Sequence, residues 1–215
     1  MKKNIVITIA RQYGSGGRTV GEMLADELGI HYYDHELMKL AADESGISEQ
    51  LFVQADENVS YKNPFLAGVI KSVYNGEILP PESNDFTKME NLFNLQAAVI
   101  RKLADTESCV IIGRAANFVL KDYDNAVRVF VHAPNDFLME QAAMKQPMRG
   151  KELEKFIEKT DGRKVAYYKY YTGEDWDDAR GYDLCLDSSK LGFRKCADEI
   201  KAYIKVRFGD DIFEK

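Results

Sequence analysis

A chain of 215 residues, 45% of them hydrophobic and 30% charged, has the composition of a soluble protein with one globular domain or at most two. Its net charge of −6 argues against nucleic acid or an acidic membrane as a general partner, because both select basic surfaces. No apolar run reaches transmembrane length, and the N-terminus lacks the length and cleavage site of a secretory signal. We therefore expect a cytoplasmic protein whose cysteines are buried thiols, neither disulfide-bonded nor metal-bound; they are Cys109, Cys185 and Cys196.

Five apolar runs along the chain predict five β-strands. The first run, 4–10, is continuous and β-branched, which is typical of a strand buried on both faces of a sheet. The second run, 31–34, is short and stops at an aspartate before a helical pattern. The remaining runs are 108–113, 126–134 and 182–187.

Helical patterns lie between these runs. Val20, Leu24 and Leu28 recur at the spacing of one helix face, and Gly29 marks the end of that helix. Similar apolar stripes precede the third run and follow the fifth. Strands that alternate with helices predict a parallel α/β sheet with right-handed crossovers.

Two segments interrupt this alternation. Residues 58–85 are rich in Asn, Pro, Ser and Gly, which predicts a loop-rich insertion between the second and third strands. Residues 144–180 are highly charged and mostly helical in pattern, and they lie between the fourth and fifth strands. Ligands of open α/β sheets bind beyond the carboxyl ends of the strands, so we expect both insertions to close over a ligand there.

The stretch ITIARQYGSGGRTVG, residues 7–21, predicts a phosphate-binding loop between the first strand and the first helix. Gly14, Gly16 and Gly17 let the backbone point several N–H groups at an anion, beside the positive end of the helix. The alternative is a glycine-rich turn that binds nothing. The position after the first strand and the adjacent arginine favour phosphate binding.

This loop departs from the usual pattern G-x-x-x-x-G-K-[ST], because its lysine is missing. In one register, Gly17, Arg18 and Thr19 stand for Gly-Lys-Thr, and Gln12 takes the place of the opening glycine. In the other, Arg11 takes the opening place and Gly17 stands where the lysine was. Arg18 is the nearest cation that could replace the lysine, and Arg11 is the second.

Four stretches of the sequence resemble the cytidylate kinase-like proteins, relatives of bacterial cytidylate kinase in the P-loop kinase superfamily. They are ITIARQYGSGGRTVGEMLADELGIHYYDHELM, VIIGRAANFVL, VRVFVHAP and DGRKVAYYKYYTGEDWDDARGYDLCLDSSKLG. The resemblance implies a three-layer α/β P-loop kinase fold with a five-stranded parallel sheet, a monophosphate-binding insertion and a helical lid. It implies one domain, 1–215, with a core of about 1–34, 86–143 and 181–215, an acceptor-binding insertion of about 35–85 and a lid of about 144–180.

The resemblance also assigns roles to single positions. The residues implied to bind ATP are Gly14, Ser15, Gly16, Gly17, Arg18 and Thr19, with the Thr19 hydroxyl as the expected magnesium ligand. Asp34 and Arg114 are implied to contact the phosphate acceptor. Arginine suits that role because its guanidinium offers a phosphate two parallel charged hydrogen bonds. The alternatives are a helix N-cap for Asp34 and a surface position at a helix start for Arg114.

The predicted lid carries further charged residues. Asp161 and Arg163 fall where these kinases use arginines to neutralise the transferring phosphoryl group, and Lys164 is a neighbouring cation. Arg18 and Arg163 are therefore the expected catalytic residues, with a solvated charged face as the alternative for this part of the lid. The tyrosine-rich run 167–171 is expected to pack the lid against the core, in preference to stacking on a base.

The sequence departs from the cytidylate kinases at other positions too. Ile112 stands where they have an aspartate before the glycine-arginine pair, and 137–148 contains none of their usual arginines. We expect ATP- and magnesium-dependent phosphoryl transfer to a nucleoside monophosphate or a similar small phosphate acceptor, whose identity the sequence leaves open. The alternative is a nucleotide-binding regulatory protein with little or no turnover. The oligomeric state is likewise left open.

Overall fold

The central strand of the sheet is β1 (Val6–Arg11), whose apolar residues are all buried. The other strands are β2 (His31–Tyr33), β3 (Cys109–Ile112), β4 (Ala126–His132) and β5 (Leu184–Asp187). The sheet has the order β2-β3-β1-β4-β5, and every neighbouring pair is parallel. This order and these pairings confirm the predicted five-stranded parallel sheet, with one strand in each apolar run. The computed structural model describes residues 4–58 and 76–213.

Helices connect the strands, as the alternating pattern predicts. The α-helices of the described residues are α1 (Gly17–Leu28), α2 (Glu36–Ser45), α3 (Glu49–Asn58), α4 (Met89–Thr106), α5 (Ala116–Val119), α6 (Asn135–Lys145), α7 (Gly150–Thr172) and α8 (Ser188–Phe208). Helix α1 ends at Gly29, which caps it in the left-handed conformation that glycine favours. Helix α8 is interrupted by Gly192, whose backbone is not helical.

Alternation along β1 divides the core into two clusters. Ile7 and Ile9 pack with residues of α1 and α8 on one face of the sheet. Val6 and Ala10 pack with residues of α2, α4 and α7 on the other face. Side chains of a strand point alternately to opposite faces, so this division covers the sheet on both sides. The result is the three-layer α/β arrangement expected from the sequence.

Helix α7 forms most of the segment predicted to be a lid. Its carboxyl-terminal half is packed into the core through the tyrosine run, where Tyr167 and Tyr171 are buried and Tyr171 stacks on Phe93 with ring centroids 4.2 Å apart. This is the packing role that the sequence analysis preferred for the run. Its amino-terminal half packs through Leu153 and Ile157 in a smaller cluster with α6.

The other predicted insertion is only partly described. Residues 76–85 contain no helix or strand, which agrees with the loop-rich composition. The remainder of that loop-rich prediction, 59–75, lies outside the described residues. Helices α2 and α3 precede it and pack against each other and against α4. The division of the chain into core, acceptor-binding insertion and lid stays a prediction.

Cys109 and Cys196 are buried free thiols, as expected, but Cys185 is exposed. The expectation was wrong for Cys185 because its strand, β5, forms an edge of the sheet and is not covered as the inner strands are. Among the helices of the described residues, none combines the length and the apolar character needed to cross a membrane.

Candidate active site

The glycine-rich loop joins the carboxyl end of β1 to the first turn of α1. Gly14 and Gly16 have φ angles of 88° and 76°, in the left-handed region that favours glycine. Neither position has space for a side chain. A Cβ added to Gly14 would lie 2.5 Å from the Leu138 carbonyl oxygen, and a Cβ added to Gly16 would lie 2.2 Å from the ring of Phe193 in α8. The buried Ser15 hydroxyl donates to the Gln12 carbonyl at 2.9 Å. This tight wrap at a helix start is a geometry suited to an anion.

Gly17 stands at one of the two positions that could correspond to the missing lysine. It is the first residue of α1, and an added Cβ there would lie 2.5 Å from the Cβ of Arg11 and 3.0 Å from its Cγ. The Arg11 side chain therefore fills the space that a side chain at position 17 would enter. A lysine at 17 and an arginine at 11 exclude each other unless the backbone shifts.

Two adjoining cavities open at the carboxyl ends of β1 and β3. The first, which we call the Arg114 cavity, has a volume of about 180 Å³, and its lining includes Asp34, Ile112, Gly113, Arg114, Arg163 and Tyr167. The second, the loop cavity, has a volume of about 400 Å³, and its lining includes Gly14, Gly16, Gly17, Lys145, Thr160 and Phe193. Three residues line both cavities: Arg11, Arg18 and Lys164. The wall shared by the cavities is therefore cationic.

The Asp34 carboxylate lies between two of these cations. Its Oδ2 is 2.7 Å from Nε of Arg18, and its Oδ1 is 3.9 Å from Nη2 of Arg11. Arg18 is also 3.1 Å from the ring nitrogen Nε2 of His35. The residue at the N-cap position of α2 is His35, so the helix-cap alternative for Asp34 is not what the structure shows. Asp34 instead partly balances the charge of the shared wall.

Burial gives this cluster an unusual electrostatic character. Burial lowers the pKa of Arg11 to about 10; Asp34 opposes this shift, and Arg18 and Arg114 add to it. Burial also lowers the pKa of Arg114. Desolvated cations that crowd one another are stabilised by a bound anion, because each gains an opposite charge in a poorly solvated place. In a protein of net charge −6, these cavities concentrate positive charge.

Lys164 reaches the shared wall from α7. Its Nζ donates to the Arg11 carbonyl at 3.1 Å and to Oδ1 of Asp161 at 2.8 Å. Asp161 also accepts the backbone N–H of Tyr13, at 2.9 Å and 3.1 Å to its two oxygens. Burial lowers the pKa of Lys164 to about 8, although Asp161 opposes the shift. From the sequence, Lys164 was expected only to be a cation next to Arg163. Its spacing of three residues from Asp161 on one helix was the signal that could have predicted this ion pair.

Arg114 sits on a strained turn after β3. Gly113, Arg114 and Ala115 have φ angles of 72°, 59° and 52°, and two of these left-handed residues are not glycine. Such backbone strain tends to occur at functional sites. Beside them, the buried Tyr167 hydroxyl has no hydrogen-bond partner in the part of the chain that the structure describes. The Arg114 cavity thus presents a half-buried cation and a hydroxyl that a ligand oxygen would satisfy.

The sequence model of the cytidylate kinase-like family matches residues 6–190. The chain belongs to this family. The cytidylate kinase of Methanopyrus kandleri is 24% identical over 210 residues, which cover 94% of this chain and 93% of that protein. The resemblance stated from the sequence is thereby confirmed.

Solved structures resemble this cytidylate kinase-like protein along most of its length. An uncharacterized protein from Eubacterium ventriosum is 25% identical with a TM-score of 0.68, over 94% of this chain and 99% of that chain. Shikimate kinase from Bacteroides thetaiotaomicron is 12% identical with a TM-score of 0.51, over 94% and 98%. The second likeness concerns the fold alone. Family and fold together support a kinase-like function.

The remaining predicted site residues divide between the cavities and their surroundings. Arg163 is exposed on α7 and lines the Arg114 cavity. Thr19 is half-buried in the first turn of α1, and it is not among the described residues that line either cavity. Within the described ranges, no group of three or more His, Cys, Asp or Glu side chains is arranged to hold a metal ion. Magnesium here would fit as part of a nucleotide complex, with phosphates and water as most of its ligands.

Proposed function

We propose that this protein transfers the terminal phosphoryl group of ATP to a nucleoside monophosphate or a similar small phosphate acceptor in the cytoplasm. The observation that carries the proposal is the cationic wall shared by the loop cavity and the Arg114 cavity. Two anionic reactants in these cavities would meet there. A cationic boundary would neutralise the charge of a phosphoryl group in transfer between them.

The loop cavity is the proposed donor site. Glycine-rich backbone at the start of α1 offers N–H groups to the triphosphate, as in other phosphate-binding loops. Among the described residues that line it, Lys145 adds a further cation and none carries a carboxylate. The proposed ATP-binding residues are Gly14, Ser15, Gly16, Gly17, Arg18 and Thr19.

The Arg114 cavity is the proposed acceptor site. Arg114 would grip the acceptor phosphate with two parallel charged hydrogen bonds, and Tyr167 would donate its unsatisfied hydroxyl. Asp34, beside Arg18, would orient the arginine that lies between donor and acceptor. Ile112 lines the same cavity at the position where cytidylate kinases have an aspartate, so acceptors other than CMP are included in the proposal.

The reaction is a direct displacement. An oxygen of the acceptor phosphate forms a bond to the terminal phosphorus of ATP, and the bond to the bridging oxygen breaks, leaving ADP. Arg18 and Arg163 are proposed to neutralise the transferring group from the shared wall and from α7. Magnesium bound with the nucleotide supplies further charge neutralisation, and Thr19 is the proposed protein ligand.

The second candidate function is nucleotide binding without appreciable turnover. The absence of a lysine at position 17, where Arg11 fills the space, is the observation that favours it. Such a protein would keep the donor site and use bound nucleotide to change its affinity for another molecule.

Incubation with ATP labelled on the terminal phosphate, magnesium and a panel of ribo- and deoxyribonucleoside monophosphates separates the two functions. We expect label in a nucleoside diphosphate with at least one acceptor, and none with Gly14→Ala, because the added methyl meets the Leu138 carbonyl. Label in no product, together with a rise in melting temperature on adding ATP-magnesium, would establish the binding protein instead. No transfer and no thermal shift would rule out the donor site.

A further inference from the structure

We infer that Arg11 takes over the position and the charge of the missing loop lysine, and contacts the terminal phosphate of the donor nucleotide. This inference rests on the proposed kinase function and names a catalytic residue for it. It differs from the sequence-based expectation, in which Arg18 was the first replacement for the lysine.

Compared with the usual pattern, a side chain and a glycine have exchanged positions across the loop. In the usual pattern the opening position is glycine and the lysine follows six residues later. Here Arg11 occupies the opening position and Gly17 the lysine position, so the bulky cation has moved to the other side of the loop. The 2.5 Å distance between the Arg11 Cβ and an added Cβ at Gly17 means that both side chains enter the same space. In this backbone only one of the two positions can therefore carry a side chain, and it is position 11.

A second glycine makes room for the guanidinium itself. Gly113 follows β3 with a φ of 72°, and an added Cβ there would lie 2.5 Å from Nη1 of Arg11. The start of α1 and the end of β3 therefore both lack a side chain where Arg11 passes. The Arg11 side chain runs past both glycines, and its guanidinium lies beside Gly113, where β3 ends at the Arg114 cavity.

The location and charge of Arg11 also suit a contact with phosphate. It lines both cavities, and Lys164 donates to its carbonyl, so its backbone is fixed from α7. Its nearest contact with Asp34 is 3.9 Å, beyond hydrogen-bond distance, whereas Arg18 is 2.7 Å from the same carboxylate and is the more exposed of the two. The lowered pKa of Arg11 records a cation held in a desolvated place, where contact with an anion is strongest.

The test is to reverse the exchange. Four forms are compared: the parent, Arg11→Gly, Gly17→Lys, and the double variant Arg11→Gly/Gly17→Lys, which restores the usual pattern. We expect Arg11→Gly to lower kcat by about 10²-fold or more, and to weaken the binding of ATP while leaving the binding of ADP nearly unchanged. Gly17→Lys alone should lower the melting temperature, because the two side chains collide. The double variant should regain at least about tenfold in kcat over Arg11→Gly.

A matched control removes an arginine that lies at the amino ends of the strands, away from both cavities. Arg207 donates to the carbonyls of Asp124 and Ala126 at the amino end of β4, and Arg207→Ala should leave kcat unchanged. Arg11→Lys provides a second test in case the double variant does not fold, because it keeps a cation at position 11. It should retain clearly more turnover than Arg11→Gly.

Several outcomes would overturn the inference. One is an Arg11→Gly protein whose kcat stays within about threefold of the parent. Another is a folded, ATP-binding double variant, or an Arg11→Lys variant, that is no more active than Arg11→Gly.

A parent protein with no turnover would instead defeat the proposed function, and calorimetry with ATP and ADP then decides about Arg11. We expect the parent to bind ATP more tightly than ADP, and Arg11→Gly to lose that preference. An unchanged preference, or no binding of ATP by the parent, overturns the inference.

Discussion

The Asp161 carboxylate accepts the backbone N–H of Tyr13 with both oxygens, at 2.9 Å and 3.1 Å, and so joins helix α7 to the glycine-rich loop. Tyr13 is held from two other directions, since its hydroxyl accepts a hydrogen bond from Gln146 at 2.7 Å and its ring meets Phe156 edge-on at 5.3 Å. Asp161 also holds the Lys164 ammonium. The position of α7 and the shape of the loop are therefore linked through one carboxylate.

Replacing Asp161 with alanine should loosen this link. We expect a loss of about 1.5–3 kcal/mol in the free energy of unfolding, because charged hydrogen bonds to a backbone N–H and to an ammonium are both lost. ATP affinity should fall as well, since the loop is no longer held. Urea denaturation and calorimetry measure the two effects. Glu158→Ala, at an exposed position on the same helix, is the control, and an equal effect of the two variants would show that Asp161 has no special role.

Arg114 should matter for the acceptor and not for the donor, because it lines the Arg114 cavity and is not among the described residues that line the loop cavity. We expect Arg114→Ala to weaken acceptor binding by about 1.5–3 kcal/mol, the value of a charge-assisted hydrogen bond. Arg114→Lys should recover part of this loss, since an ammonium keeps the charge without the planar fork. Titration of each variant with ATP and with the acceptor separates the effects; a fall in ATP affinity alone would mean that the two cavities are assigned in reverse.

Lys164 should make kcat/KM fall at alkaline pH. Its pKa is lowered by burial to about 8, with Asp161 opposing the shift and the nearby Arg11 and Arg18 adding to it. Below that pH the side chain is a cation that attracts phosphate; as pH rises through about 8 the proton leaves and the attraction is lost. Because kcat/KM reports the free enzyme, the decline should appear near that pH.

Lys164→Arg should move this decline to a higher pH, because arginine keeps its charge throughout the range. Lys155→Met, at an exposed position two to three turns earlier on α7, should leave the profile unchanged. If kcat/KM of Lys164→Arg declined with the same midpoint as that of the parent protein, the titrating group would be a residue other than Lys164.

Local patterns were enough to predict the sheet and the loop. Each strand is an apolar run of its own, and α1 ends at a glycine that adopts the left-handed conformation, so both follow from neighbours in sequence. The exposure of Cys185 could not be predicted, because it depends on which strand lies at the edge. Strand order is decided by packing between segments far apart in the chain.

The candidate site was predictable only where its residues follow one another. Gly14 to Thr19 form a recognisable motif, whereas Lys164 meets the Arg11 carbonyl across 153 positions of the chain. The close approach of the Arg11 side chain to Gly17 could not be predicted either, because six positions separate the two residues and only the fold of the loop brings them together. Spacing alone therefore ranked Arg18 above Arg11.

Arg18 remains on the shared wall, and its proposed role has a distinct signature. Arg18→Ala should lower the phosphoryl-transfer rate much more than it lowers ATP affinity, because an interaction made mainly in the transition state affects kcat and leaves ground-state binding nearly unchanged. Its bond to Asp34, at 2.7 Å, would hold the guanidinium at the boundary of the two cavities until the transferring charge develops. Single-turnover kinetics with labelled ATP and calorimetry measure the two quantities, and Asp34→Asn provides the matched variant that keeps Arg18 but weakens its anchor. If Arg18→Ala leaves the rate unchanged while Arg11→Ala abolishes it, Arg18 only fixes Asp34 at the surface of the site, and neutralisation from this wall is left to Arg11 and Lys164.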